Sequence, residues 1–390
     1  MIVSSLAAAA LFLIPAVPPL PVEPVPPRPS PAVDASVLHR SGTQVRVPPG
    51  TARPPGVSAR SWLVADAGSG AVLAARDAHK RLRPASTLKV LFALTALHGL
   101  SPDRPHTVSR HELVGIGEGS SLVGLKEEVT YRVADLWRGV FLSSGNDAVR
   151  VLAGLNGGWQ ATTREMQATA DALGARDTHV VSPDGYDEPG QVSSAYDLAL
   201  FARVGLRDPD FARYCATPYA KFPGGGWSYG IRNTNRLVTG DDGVARYPGI
   251  LGVKNGYTSG AGHTLIAAAR RNGRTLVVTV MNPRRGGAYA VYEEARQLLD
   301  WGFAAAPRAR PVGSLQAPPK AAATAAGPAA SPAPVRAAPA PARPSATPQA
   351  RATAPDDGPH VLLPLTFVSS ACIAAATLWW VRRRTAPPLE

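Results

Sequence analysis

Proline is distributed so that this chain has one place to fold. More than half of the positions from Pro15 to Pro31 are proline, and irregular sequence continues to about Val57. From Ala306 to Pro359 the composition collapses again, to Ala, Pro, Arg, Thr and Ser. Proline fixes φ and withholds a backbone donor, and neither segment carries enough apolar residues to bury, so both read as extended spacers. What lies between them is long enough for a sizeable core. Ile2 to Val17 is an uncharged, largely apolar run. It is too short to span a bilayer but fits the apolar centre of a secretory signal. The longer run from Val361 to Val381 also carries no charge. As a helix rising about 1.5 Å per residue, it is long enough to cross a hydrocarbon core of about 30 Å. Trp379 and Trp380, followed by Arg382, Arg383 and Arg384, set its far end in the cytoplasm.

The expected organisation follows. Residues 1–30 are a signal peptide and the start of the spacer, and 31–57 are irregular spacer. Residues 58–305 are a folded domain and 306–359 a linker. Residues 361–381 form a transmembrane helix and 382–390 a cytoplasmic tail. This is a single-pass protein of the cell membrane with its domain outside. The net charge of +13 suits an anionic envelope, and no nucleic-acid motif accompanies it. The two cysteines, Cys215 in the domain and Cys372 in the membrane segment, cannot meet in a disulfide. No Cys/His spacing marks a metal site, and no cofactor is implied.

Within the domain, Ser61–Asp66 and Ala71–Ala74 flank Gly68-Ser69-Gly70 as a hairpin. Helical patterns follow: one entered at Ser86, one capped by Thr130 and running to Leu142, then Ala148–Leu155, Gln160–Leu173 and Ser194–Val204. Three apolar strands come next, around Leu251–Lys254, Thr264–Ala269 and Thr275–Val280, and a closing helix runs from Tyr292 to Trp301. Strands from both ends of the domain around a helical middle make one sheet, an α+β arrangement.

Three blocks carry chemistry. The first is Ser86-Thr87-Leu88-Lys89, entering an apolar helix behind Pro84. Residues three apart share a helix face, so the two side chains can touch. A serine hydroxyl needs a base, and a lysine among apolar groups is pushed toward its neutral form. Most Ser-x-x-Lys patterns are surface helix turns, but lysine is scarce here: six lysines stand among 41 Lys and Arg. An arginine at 89 could not serve, because it keeps its proton. The second block, Ser144-Gly145-Asn146, lies well downstream, in a break between helices. Its hydroxyl can relay a proton and its amide can hold a carbonyl. Read alone, it is a helix-turn-helix junction. The third, Lys254-Asn255-Gly256-Tyr257-Thr258, stands at the end of an apolar strand. There a lysine can meet an anion, Gly256 lets backbone approach, and the Tyr257 amide can join that of Ser86 as an oxyanion donor. Read alone, Lys254 is a solvated edge lysine.

In this order the blocks resemble the serine-type D-alanyl-D-alanine carboxypeptidases, the low-molecular-mass penicillin-binding proteins. The resemblance spans about Ser61 to Phe303 and includes Gly119-Ser120-Ser121, Ser182–Asp187, Asn233–Leu237 and Leu298–Phe303. It implies a DD-peptidase/β-lactamase-like α/β fold, a mainly antiparallel sheet flanked by helices with a helical subdomain. It implies peptidoglycan stem peptides ending in D-Ala-D-Ala as substrate and β-lactams as covalent inhibitors. Carried over, Ser86 is the nucleophile and Lys89 its base. Ser144 and Asn146 shuttle the proton and hold the peptide. Lys254 binds the terminal carboxylate, beside Asn255, Gly256, Tyr257 and Thr258. Asn255 departs from the family, which usually has Thr there.

Other readings are weaker. A class A β-lactamase needs Glu in Glu-x-x-Leu-Asn, and Leu152 stands where that Glu would be before Leu155-Asn156. No Gly-x-Ser-x-Gly of an α/β-hydrolase is present. A non-catalytic or weakly active envelope protein that binds penicillin, peptidoglycan or a cell-wall partner is the alternative of a different class, with Asn255 as its support.

Overall fold

The computed structural model describes residues 34–315. The expected signal segment, membrane segment, tail and the linker beyond residue 315 lie outside them. Among the described residues no helix is long and apolar enough to cross a membrane.

The strands are β1 (Thr43–Val45), β2 (Ser61–Asp66), β3 (Ala71–Arg76), β4 (Pro105–Thr107), β5 (Thr130–Arg132), β6 (Tyr219–Pro223), β7 (Ser228–Arg232), β8 (Ile250–Thr258), β9 (Gly262–Arg271), β10 (Arg274–Met281) and β11 (Gly313–Ser314). The helices are α1 (Lys89–Ala96), α2 (Val133–Leu142), α3 (Asn146–Leu155), α4 (Trp159–Leu173), α5 (Ala195–Gly205), α6 (Pro209–Ala216), α7 (Arg236–Thr239) and α8 (Ala290–Ala305).

The main sheet runs β1-β3-β2-β10-β9-β8 and is antiparallel throughout, as expected. Its inner strands are almost continuously buried, Leu63–Ala65 and Val277–Val278 among them, because both faces are covered. On one face Leu63, Val277 and Ile266 join α1, α2, α3 and α5 in the larger core. On the other, Val64, Val278 and Leu265 pack with Val291, Leu298 and Leu299 of α8. Two hairpin-like pairs, β4–β5 and β6–β7, stand apart from the main sheet. Strand β8 is its free edge, and the helical region approaches it there.

Three expectations need correction. Thr130 does not cap a helix: it lies in β5, its hydroxyl meeting that of Thr107 across the ladder at 2.8 Å, and α2 starts at Val133. A β-branched pair on facing strands outcompetes the capping role here. Lys254 is not at a strand end, since β8 continues to Thr258 against β9. The folded domain also exceeds 58–305. β1 pairs with Ala74–Arg76, and β11 pairs with Ala71–Val72 on the same edge of β3. Val312 and Leu315 are fully buried, so residues assigned to the two spacers complete the sheet.

Candidate active site

The site forms around a strained turn. Pro84 precedes a 3-10 turn over Ala85–Leu88, and Ala85 takes a left-handed φ of 50°. That conformation disfavours a residue with a Cβ and persists only where surroundings impose it. Here they do. The Pro84 carbonyl accepts from Thr87 Oγ1 at 2.5 Å and from Thr264 Oγ1 of β9 at 2.9 Å. Two glycines let backbone close on the turn. A Cβ on Gly185, whose φ is 81°, would lie 2.1 Å from the Ala85 carbonyl oxygen. A Cβ on Gly256 would lie 2.6 Å from the Ser86 amide nitrogen. Ser86 therefore sits between the edge strand β8 and the loop through Gly185.

Lys89 is the first residue of α1 and is 1% exposed. Its Nζ donates to Ser86 Oγ at 2.7 Å and to the Asp184 carbonyl at 2.7 Å. Burial pulls its pKa down to about 8, against the opposing pull of Asp184 and Asp147. A substantial neutral fraction is thus available near neutral pH, one short contact from the hydroxyl. Lys254 is equally buried, and its Nζ donates to the Asn255 carbonyl at 2.9 Å. Burial, then the charge of Lys89, holds its pKa well below the ordinary lysine value. Cys215 supplies no counter-charge, because burial pushes its thiol well up.

Ser144 lies in the α2–α3 break, buried, at a left-handed φ of 58°. Asn146 is the first residue of α3, and its Nδ2 donates to Ser120 Oγ at 2.9 Å. Asn255 Oδ1 accepts from Thr234 Oγ1 at 2.9 Å. Thr258 Oγ1 donates to Asp187 Oδ1 at 2.8 Å, and the Tyr257 ring packs tilted against His263 with centroids 4.6 Å apart.

A cleft of about 280 Å³ opens over this group. Ser86, Asn146, Tyr257 and Thr258 line it, with Ser120, Asp184 and Gly185. Lys89 lies directly behind Ser86. Gly256 packs against the Ser86 amide. Lys254 and Ser144 are buried and do not line the cleft, and Asn255 turns its oxygen away to Thr234. Residues from three segments far apart in sequence thus meet at one cleft.

Several residues that shape the cleft were not assigned roles from sequence. Asp147 accepts from the amides of Val123, Gly124 and Leu125 at 3.0, 2.8 and 3.0 Å, fixing the loop that continues to Ser120. Gln191 Oε1 accepts from the amides of Val181 and Ser182, and its Nε2 donates to the Tyr186 carbonyl at 2.6 Å, shaping the loop that holds Asp184. Pro183-Asp184-Gly185 is a turn signal that could have flagged that loop. Nothing local marks Gln191.

The comparisons agree on one group of proteins. A sequence model described as D-alanyl-D-alanine carboxypeptidase matches residues 49–285. A D-alanyl-D-alanine carboxypeptidase of Mycobacterium tuberculosis is 40% identical over 271 residues, covering 69% of this chain and 90% of the relative. Another, from Escherichia coli, is 36% identical over 264 residues, covering 65% of each chain. The crystal structure of a D-alanyl-D-alanine carboxypeptidase from Mycobacterium tuberculosis superposes with a TM-score of 0.63 at 38% identity, covering 70% of this chain and 100% of the other.

Proposed function

The chain belongs to the D-alanyl-D-alanine carboxypeptidase family, and we propose from that membership how its own residues divide the work. The reaction is serine-type removal of the terminal D-Ala from a D-Ala-D-Ala peptide, and this reading is supported over a non-catalytic envelope protein. The observation that carries the role assignment is the 2.7 Å contact between Lys89 Nζ and Ser86 Oγ in a buried setting.

In the proposed sequence, neutral Lys89 takes the Ser86 proton as Oγ attacks the carbonyl between the two D-alanines. The oxyanion lies between the amides of Ser86 and Tyr257, which Gly256 allows to approach. Collapse breaks the C–N bond. The leaving D-Ala amine takes a proton from Lys89, relayed through Ser144. Asn146 holds the peptide carbonyl. Water then adds to the ester, Lys89 takes its proton, and Ser86 Oγ leaves with one. Lys254 and the Asn255 amide hold the terminal carboxylate, which supplies the counter-charge that buried Lys254 lacks. β-Lactams present the same carbonyl and carboxylate and acylate Ser86.

Labelling with a fluorescent penicillin, wild type against Ser86→Ala, tests the nucleophile. One adduct mapped to Ser86 and lost in the variant is expected, with D-Ala release lost in parallel. An adduct mapped to Ser144 overturns the assignment.

The sequence also supports a membrane-anchored protein with its domain outside the cell. That reading rests on the uncharged run Val361–Val381, the Trp pair and the three arginines after it, and the signal-like run Ile2–Val17. Protease added to intact cells should release the domain by cutting beyond residue 315. Full protection overturns the topology.

A further inference from the structure

The two ends of the described chain meet at the edge of the sheet that carries β1 and β11. The 3-10 turn Ala35–His39 sets Leu38 against Gly313 so closely that a Cβ has no room there. Arg46, next to β1, and Arg310, ahead of β11, form an antiparallel bridge, and the Arg310 amide donates to the Arg46 carbonyl at 2.9 Å. Partners in such a bridge share one face with Cβ atoms about 4.5–5.5 Å apart, and like charges placed so repel. Both guanidinium groups are exposed, and neither makes a hydrogen bond or close ion pair with any described residue. Arg40, which follows the turn, is exposed and free in the same way. The charges of Arg40 and Arg46 both act on the exposed Asp34, so these two arginines stand near each other.

Acid does not balance this edge. Across residues 34–60 and 306–315, Arg40, Arg46, Arg53, Arg60, Arg308 and Arg310 stand against Asp34 alone. Asp77, just past β3, is taken by the Gly42 amide at 2.8 Å and by Arg76 at 3.6 Å. Asp177 is taken by His79, whose ring stacks on that of His39. The fold thus keeps a repelling arginine pair that it does not use, and guanidinium groups suit phosphate oxygens.

We propose that this edge docks the domain on a membrane surface of anionic phospholipid headgroups. Its charge complements such a surface. The described chain also ends at Leu315, beside Arg310, and the sequence beyond it runs to the uncharged segment Val361–Val381. The choice of partner rests on the membrane-anchored reading and adds to it. Residues 316–360, at about 3.1 Å per extended residue, are long enough to hold a domain roughly 140 Å from a bilayer. An anchor alone therefore does not fix where the domain works, whereas a docked edge does. Each arginine close to an anionic surface adds about fivefold to the partition, and the attraction fades within a Debye length.

The test reconstitutes the full chain with vesicles of phosphatidylcholine alone or mixed with phosphatidylglycerol. Flotation reads binding. Phenylglyoxal, an uncharged reagent for guanidinium groups, followed by peptide mass mapping reads which arginines are covered. Arg164, exposed on α4, which packs on α1 and α3, is the internal standard. Relative to it, reaction at Arg40, Arg46 and Arg310 should slow by about threefold or more on the anionic vesicles only, and recover at high salt. In the double variant Arg46→Glu with Arg310→Glu, protection of Arg40 should be lost; Arg46→Gln with Arg310→Gln gives the same readout if circular dichroism shows the first unfolded. Equal rates on the two kinds of vesicle overturn the proposal. So does protection of Arg40 that survives the double variant, or protection by soluble polyphosphate but not by vesicles. A chain that floats with anionic vesicles alone loses the anchor and keeps the docking edge; one that floats with neither overturns both.

Discussion

Thr234 Oγ1 donates to Asn255 Oδ1 at 2.9 Å, so the one site residue that departs from the family pattern is pinned through its oxygen. Thr234 is itself fixed: its amide donates to the Leu142 carbonyl at 2.8 Å, and its carbonyl accepts from Tyr292 Oη at 2.9 Å. With the oxygen taken, Asn255 keeps Nδ2 as a donor, the role a threonine hydroxyl would fill toward a substrate carboxylate.

A hydrogen bond to a charged group is worth about 1.5–3 kcal/mol. Asn255→Ala should therefore lower the penicillin acylation rate by roughly tenfold to a hundredfold, and Asn255→Thr much less. Stopped-flow acylation of the three proteins checks this. An Ala variant as fast as wild type would show that Lys254 alone holds the carboxylate.

Lys89, with its pKa drawn down to about 8 by burial, must be neutral to accept the Ser86 proton. Acylation should thus rise by roughly tenfold per pH unit below about pH 8 and level off above it. Lys89→Arg should lose acylation by orders of magnitude at every pH, because the guanidinium keeps its charge. A pH profile of the acylation rate from 5.5 to 9 measures both.

Lys254 is buried beside another lysine, and burial, then the charge of Lys89, holds its pKa well below the ordinary value. A docked carboxylate favours the charged form and raises that pKa. Binding of a carboxylate ligand to Ser86→Ala should then take up protons and weaken as pH rises. Titration calorimetry in buffers of different ionisation enthalpy reads the proton count, and zero uptake would contradict the assigned role.

Gly185 combines a φ of 81° with a would-be Cβ 2.1 Å from the Ala85 carbonyl oxygen. Gly185→Ala must push the turn that carries Ser86 out of register with Gly256. Acylation should fall by at least a hundredfold while most of the fold survives, since a misplacement of about 1 Å costs that much. Circular dichroism alongside penicillin labelling separates lost alignment from lost folding.

A chain cut after Arg310 loses Val312 and Leu315, both fully buried, and the hydrogen bond from Tyr196 Oη to the Ser314 carbonyl at 2.7 Å. At about 1.5–3 kcal/mol per buried apolar side chain, stability should drop by about 3 kcal/mol or more. A chain cut at residue 320 should keep it. Denaturant melts of the two fragments give the difference.

Sequence alone determined what depends on near neighbours. Ser86 and Lys89 are three residues apart, so helical geometry brings them together wherever the helix goes. The apolar runs in β9 and β10 are visible because period and burial are properties of one element. The order of the three blocks, with Asn255 as the departure, was legible for the same reason. Tertiary structure decided the contacts between distant segments. The Asp184 carbonyl meets Lys89 from a loop far along the chain, and Thr234 captures the oxygen of Asn255. β1 and β11 close the far edge of β3 from segments that composition alone had assigned to spacers. Such contacts are set by sheet register and by where a glycine leaves room for backbone. Gly185 against Ala85 and Gly256 against Ser86 are examples, and a missing side chain leaves no periodic trace in the sequence around it.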